Sequence, residues 1–382
     1  MSTQKKKKTS TGKIVLFVVE IVALIALLLV MWFVLKTTDS EKGVKRLELN
    51  ESEIEVEFNE SVKENEVMKG YKNIALFGVD SRNGDLANKT RTDTIIVASI
   101  NEQTKEVKLV SVYRDTYLNQ MGEKQNYGKC NAAYAYGGAE QAIKMLNANL
   151  DLDITEFVTI GFEGLRDVVD ALGGVYIDVD AEEIKHLNNY QIAMVESMSD
   201  VSTYTPVTET GYQVLNGLQA TAYCRIRYTA GNDFKRTERQ REVIKACLET
   251  AKTVNPAALA TMSQNVYSEV FTSFKLDDII SLLKDIASYS IVDEGGFPTE
   301  GMITTGTIGS AGSCVIPLDL EANVSWLHGF LFNETDYKPS SNVSDFSARV
   351  ASDVSPYISG TPTSTGTATA DDSEDDEDDW MN

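Results

Sequence analysis

Asn73-Ile74-Ala75-Leu76-Phe77-Gly78-Val79-Asp80 is an apolar run that ends on a carboxylate. Two more runs rich in β-branched residues follow it, Thr94-Ile95-Ile96-Val97-Ala98-Ser99-Ile100 and Val107-Lys108-Leu109-Val110-Ser111-Val112. Branched side chains pack well on a pleated surface, so all three predict strands, the first two buried on both faces. The polar residues 101–105 make a connection of hairpin length. Further along, Ala139, Ala142, Ile143, Leu146 and Leu150 recur at helical spacing, and 157–161 reads as a short strand. Leu165, Val168, Val169 and Leu172 mark a helix over 164–172, and Gly173-Gly174 predicts its left-handed cap before a strand at 175–179. Residues 217–228 read as a turn leading into a strand, 236–253 as a long helix, and 276–288 as another. Strands alternating with helices predict an α/β/α sandwich, and the early hairpin makes its central sheet mixed.

Arg225-Ile226-Arg227 and then Asp233-Phe234-Lys235-Arg236-Thr237-Glu238-Arg239-Gln240-Arg241 carry six basic and two acidic residues, in a chain of formal net charge −22. Arginine grips phosphate with a planar fork that does not deprotonate. In a strand, Arg225 and Arg227 share a face. In a helix, Arg236, Arg239 and Gln240 lie together at i, i+3 and i+4. The segment is either a phosphate clamp or a solvated face of surface ion pairs.

The chain has 382 residues, enough for one or two domains. Its acidic balance argues against nucleic acid as a partner. Four scattered cysteines with no CxxC pair argue against zinc and against a disulfide framework. Two histidines give little support to a catalytic triad. Residues 14–35 hold one charge, Glu20. Such a run reaches about 33 Å as a helix, against a bilayer core of about 30 Å. Lysines 5–8 and Lys13 precede it, which keeps residues 1–13 in the cytoplasm and sends the chain after the span outside. The run is too long for a cleaved signal and lacks a small-residue cleavage site, so an uncleaved single-pass anchor is expected. Residues 36–70 read as a stalk. Residues 340–382 read as a disordered tail, Ser/Thr-rich and closing on eight carboxylates between Asp371 and Asp379.

Three element ends carry Asp and Arg: Gly78-Val79-Asp80-Ser81-Arg82, Arg91-Thr92-Asp93-Thr94 and Ser111-Val112-Tyr113-Arg114-Asp115-Thr116. Carboxylates at strand ends are where open α/β sheets place ligand contacts. Two carboxylates with several arginines is the chemistry of a magnesium–phosphate site. Any one Asp/Arg pair is more readily explained as a structural ion pair, but four at consecutive element ends strain that explanation. No phosphate-binding glycine motif is present, so a nucleotide is not indicated.

The ordered segments GVDSR, RTDT, SVYRDT, KCNAAYAYGG, FEGLRDVVDALGGV, LNGLQATAYCRIRY and DFKRTERQREVI, over about residues 72–253, resemble the LytR-CpsA-Psr family. The resemblance implies a catalytic domain over 72–335. It implies a phosphotransferase at the bacterial cell membrane that moves an anionic glycopolymer (teichoic acid, capsule or a related wall polymer) from a polyprenyl pyrophosphate carrier to peptidoglycan. It implies Mg²⁺, or Mn²⁺, bridging the pyrophosphate. Matched residue by residue, the metal-side and catalytic carboxylates are Asp80 and Asp93, with Arg114 as a catalytic arginine. The pyrophosphate-binding set is Arg91, Arg114, Arg225, Arg227, Arg236 and Gln240, with Arg82 and Arg239 as further members and Asp233 orienting arginines. Tyr113 stands where the family has Pro, which puts the stiffness of that loop in question. Phe157, Ile160, Phe162, Leu165 and Val168 are the candidate lipid groove, against ordinary core packing as the other reading. A non-catalytic lipid or glycan binder with a regulatory role, and a lipid-pyrophosphate hydrolase, remain open alternatives from the residues.

Overall fold

The computed structural model describes residues 59–80, 86–87, 90–122, 126–198, 200–227 and 232–357. The expected membrane span at 14–35, the cytoplasmic segment before it, most of the stalk, Arg82 and the acidic run all lie outside the described residues. No helix among the described residues is long and apolar enough to cross a membrane.

A six-stranded sheet forms the centre, in the order β10-β3-β2-β1-β6-β9. These are β1 (Tyr71–Val79), β2 (Thr92–Asn101), β3 (Glu106–Val112), β6 (Glu156–Ile160), β9 (Val270–Thr272) and β10 (Ser290–Phe297). β1, β2 and β3 run antiparallel as a meander, while β6 joins β1 and β10 joins β3 in parallel. The sheet is therefore mixed, as the early hairpin predicts. Three short ribbons lie outside it: β4 (Tyr117–Asn119) with β5 (Tyr127–Lys129), β7 (Val175–Val179) with β8 (Gly211–Leu215), and β11 (Ile303–Ile308) with β12 (Gly312–Pro317).

The helices are α1 (Glu60–Lys63), α2 (Ala132–Leu150), α3 (Phe162–Ala171), α4 (Ala181–Ser197), α5 (Gly217–Tyr223), α6 (Asn232–Thr253), α7 (Pro256–Val266), α8 (Leu276–Lys284), α9 (Leu320–Phe332) and α10 (Ser341–Val354). Strand periodicity divides them between the two faces. Ala75, Phe77, Val79, Ile95, Val97 and Phe157 point into a core shared with α2 and α9. Ile96, Ala98, Val107 and Leu109 point the other way, toward Ile244 of α6. A further core lies under β7, β8, α3, α4 and α5. Gly173 and Gly174 take φ of 83° and 100°, the left-handed cap that their position after α3 requires.

Three expectations are corrected. Residues 217–223 form a helix, because Asn216 and Gln219 close a capping box and Ala220 and Ala222 favour the helical backbone. Arg225 then follows in a turn and Arg227 in irregular chain, neither in a strand. The folded part begins by Asn59 instead of residue 72, since Val62 and Met68 are buried in the main core. Residues 341–354 are helical, not a tail. Val343, Val350 and Val354 are buried there, and Phe346 packs against the core at the spacing that completes one stripe. The Ser- and Asp-rich filler between them hides that stripe in the sequence.

Candidate functional site

The two strand ends that carry the carboxylates are built by a bulge. Gly78 pairs with Thr94 but Val79 pairs with Thr92, so Asp93 is the extra residue on β2. A bulge re-aims the side chain it carries, and Asp93 faces the same cavity as Thr94 and Ile96. Gly78 permits the close pairing, because a Cβ there would lie 2.8 Å from Thr94 Cβ. Asp80 extends from the end of β1 to the same cavity.

Arg114 enters from the loop after β3, and its Nη1 donates to Asp93 Oδ1 at 2.6 Å. Its Nε lies 3.5 Å from Asp115 and 3.9 Å from Asp233. Arg227 Nη2 approaches Asp93 Oδ1 at 3.8 Å. Arg236 is only 2% exposed; its Nη2 donates to the Asp93 carbonyl at 3.1 Å and pairs with Asp233 Oδ1 at 2.8 Å. Burial pushes the Asp93 carboxyl up, but Arg236, Arg114 and Arg227 together outweigh it and hold the group below its ordinary value. Burial in turn pulls the Arg236 guanidinium down to about 10, against the opposing charge of Asp233. Arg236 Nε and Gln240 Oε1 are buried polar atoms with no hydrogen-bond partner among the described residues. Buried groups left this way call for a ligand or water to complete them.

These groups line one end of a cavity of about 380 Å³. Its other walls are apolar: Leu76, Val158, Ile160, Phe162, Leu165 and Val168 from the sheet and α3, and Val243, Ile244 and Cys247 from α6. Cationic and carboxylate groups together with hydrocarbon walls in one cavity suit an amphiphile with a highly charged head.

The cavity gathers Asp80, Asp93, Arg114, Arg225, Arg227, Arg236 and Gln240, and Ile160, Phe162, Leu165 and Val168 of the groove. It leaves out four others. Phe157 is fully buried on the opposite face of β6, edge-on to Phe271 at 5.2 Å, because alternate strand residues face opposite ways. Arg239 pairs with Glu183 at 2.7 Å and donates to the Ile226 carbonyl at 3.1 Å. At about 100° per residue, 236, 240, 243, 244 and 247 fall within an arc of about 100° on α6, and 239 lies about 90° from its middle. Arg91 is exposed at the start of β2 and outside the lining. Asp233 also lies outside the lining and holds Arg236 and Arg114 instead.

Arg241 is not the surface residue its sequence position suggests. It is buried, donating to Ser111 Oγ at 2.6 Å and pairing with Glu294 at 3.2 Å, so it ties α6 to β3 and β10. The question raised by Tyr113 is also answered. Its N–H donates to the Phe297 carbonyl at 3.0 Å, a bond proline lacks, and its ring sits edge-on to Phe234 at 4.6 Å. The α6 wall (Val243, Ile244, Cys247) and Tyr190 went unpredicted. The i+7, i+8 and i+11 spacing from Arg236 is the signal that marks the former; nothing local marks Tyr190.

Asp80 and Asp93 are hard oxygen donors facing one cavity, and Mg²⁺ commonly takes one or two carboxylates with phosphate oxygens completing its shell. That donor set fits the ion. Among the described residues no group of three or more metal-ligating side chains is assembled, so the protein would supply only part of the shell.

The mixed sheet carries helices on both faces and a cavity lined by four arginines, two carboxylates and apolar side chains. The chain belongs to the LytR_cpsA_psr family, whose model matches residues 30–309. Biofilm regulatory protein A of Streptococcus mutans serotype c is 32% identical over 239 residues, covering 58% of this chain and 56% of that protein. The polyisoprenyl-teichoic acid–peptidoglycan teichoic acid transferase TagU of Enterococcus faecalis is 29% identical over 245 residues, covering 58% of this chain and 74% of that protein. A solved structure of TagT bound to LI-WTA superposes with a TM-score of 0.54 at 25% identity, covering 74% of this chain and 97% of the other.

Proposed function

We propose that this chain is a phosphotransferase that moves an anionic glycopolymer from a polyprenyl pyrophosphate carrier to peptidoglycan at the outer face of a bacterial membrane. The observation that carries the reading is the single cavity that joins Asp80, Asp93 and four arginines to an apolar channel. The transferase named for the Enterococcus faecalis relative supports the glycopolymer and the acceptor. The apolar run at 14–35 supports the anchor.

The acceptor hydroxyl forms a new O–P bond to the sugar-side phosphorus. The phosphoanhydride bond breaks, and polyprenyl monophosphate leaves. Transfer of this kind depends on neutralising and aligning a crowded anion. Arg114, Arg227 and Arg236 supply fixed positive charge, and Asp93 and Asp233 hold their forks in place before substrate arrives. The buried Nε of Arg236 supplies a further donor. The apolar walls exclude water from the phosphorus, which favours transfer over hydrolysis. Asp80 and Asp93 would hold Mg²⁺, or Mn²⁺, which when bound neutralises pyrophosphate oxygens.

The test is the purified full-length protein with lipid-linked glycan, peptidoglycan fragments and Mg²⁺. Polymer should appear on the fragments. Tight lipid binding without turnover would make the protein a binder, and phosphorylated glycan released without an acceptor would make it a hydrolase.

A further inference from the structure

Of the four arginines that line the cavity, Arg114, Arg227 and Arg236 each have a carboxylate close by, Asp93 or Asp233. Arg225 differs. No ion pair or side-chain hydrogen bond is made by it among the described residues; its guanidinium lies over two aromatic rings. Its guanidinium carbon is 4.4 Å from the Phe162 ring centre and 5.2 Å from that of Tyr190. Both distances are within cation–π range. Phe162 is the first residue of α3, Tyr190 stands on α4, and all three side chains line the cavity.

Stacking and hydrogen bonding use different parts of a guanidinium. The rings take its faces, and its five N–H donors lie in its plane. A carboxylate partner would occupy those donors and cancel the charge. An aromatic clamp fixes the plane and leaves both donors and charge available to an anion. An arriving phosphate would have to compete with Asp93 for Arg114 and Arg227, but with no carboxylate of the described residues for Arg225.

We infer that Tyr190, with Phe162, is a positioning residue that clamps Arg225 edge-on to the cavity as its uncommitted anion-binding arginine. Phe162 therefore acts on the head group, in addition to lining the hydrocarbon channel. The inference rests on the proposed function only in taking a lipid diphosphate as the ligand.

The test is binding of geranylgeranyl diphosphate, geranylgeraniol and inorganic pyrophosphate to the full-length protein in detergent. Tyr190→Leu should weaken geranylgeranyl diphosphate and pyrophosphate about five- to tenfold, the scale of a partly buried cation–π contact. It should leave geranylgeraniol within about twofold. Tyr190→Phe, which keeps the ring, should recover most of the loss. In an Arg225→Leu background, Tyr190→Leu should add little, because the two act as one unit. Equal weakening of diphosphate and alcohol would reduce Tyr190 to a wall residue and overturn the inference, as would additive effects in the double variant. Wild-type protein that binds none of the three probes would overturn the functional reading and the clamp with it. Diphosphate binding that survives Tyr190→Leu unchanged would overturn the clamp alone.

Discussion

Arg114 Nη1 lies 2.6 Å from Asp93 Oδ1, and that one contact joins the loop after β3 to the bulge in β2. Both side chains are mostly shielded, at 16% and 26% exposure. The pair is thus a preset part of the cavity wall, made before any ligand arrives.

Removing Arg114 should act on charge as well as on binding. Asp93 is held below its ordinary value by three arginines acting against burial. A depressed carboxylate contributes stability that is fully present above its unfolded value of about 3.9 and is lost as pH falls through the folded value. Arg114→Ala takes away one of the three cations, so the folded value rises. Transfer should fall about 10²–10³-fold, the scale for one lost charge-stabilising donor, and the acid limb of its pH–rate profile should move to higher pH. An acid limb that stays in place would mean Asp93 does not govern it.

Arg239 should behave as a structural residue. It and Glu183 are buried together, at 5% and 7% side-chain exposure. Arg239→Ala strands the carboxylate and should destabilise the fold by about 3–5 kcal/mol. The double variant Arg239→Met with Glu183→Leu should regain much of that. Urea unfolding measures both, and pyrophosphate affinity in the double variant should match wild type.

Phe157 on β6 and Leu165 on α3 should separate core stability from binding of a lipid tail. Phe157→Ala opens a cavity in the main core and should cost about 3–5 kcal/mol. Leu165→Gln on the cavity wall should weaken geranylgeranyl diphosphate several-fold while leaving inorganic pyrophosphate unchanged. Calorimetric titration with the two probes distinguishes them. Equal losses for both would place Leu165 away from the tail.

Gly296 and Tyr113 should prove coupled. A Cβ at Gly296 would lie 1.9 Å from the Tyr113 hydroxyl oxygen and 2.5 Å from its ring. Gly296→Ala should cost about 1–3 kcal/mol by overpacking. Tyr113→Phe in the same chain should relieve part of this, since the hydroxyl is the nearer clash. Additive stabilities in the double-variant cycle would show that the ring moves aside freely.

Much of the architecture was legible locally. The meander β1–β3 follows from its runs of β-branched apolar residues, the strand at 175–179 from period-2 burial, and the glycine cap before it from the left-handed backbone that only glycine adopts freely. The arginine turn was misread because Arg225 and Arg227 alternate like strand residues around buried Ile226. Alternation also arises in a tight turn, and the capping box at Asn216 was the overlooked signal. Helix α10 lies in a stretch whose composition is that of a polar tail, and only the spacing of its buried valines marks it.

The sequence alone determined that several Asp and Arg side chains fall at element ends, and that α6 carries Arg236 and Gln240 one turn apart. Those are short-range facts, set by strand and helix periods. Which arginines reach the cavity was a tertiary decision. Arg239, three residues from Arg236, turns to Glu183, and Arg241 turns to Ser111 and Glu294. Arg225 meets Tyr190, 35 residues earlier in the chain, through the packing of α4 alone. A guanidinium's partner depends on which surface packs against its helix or turn, and that is fixed by burial of the long-range core.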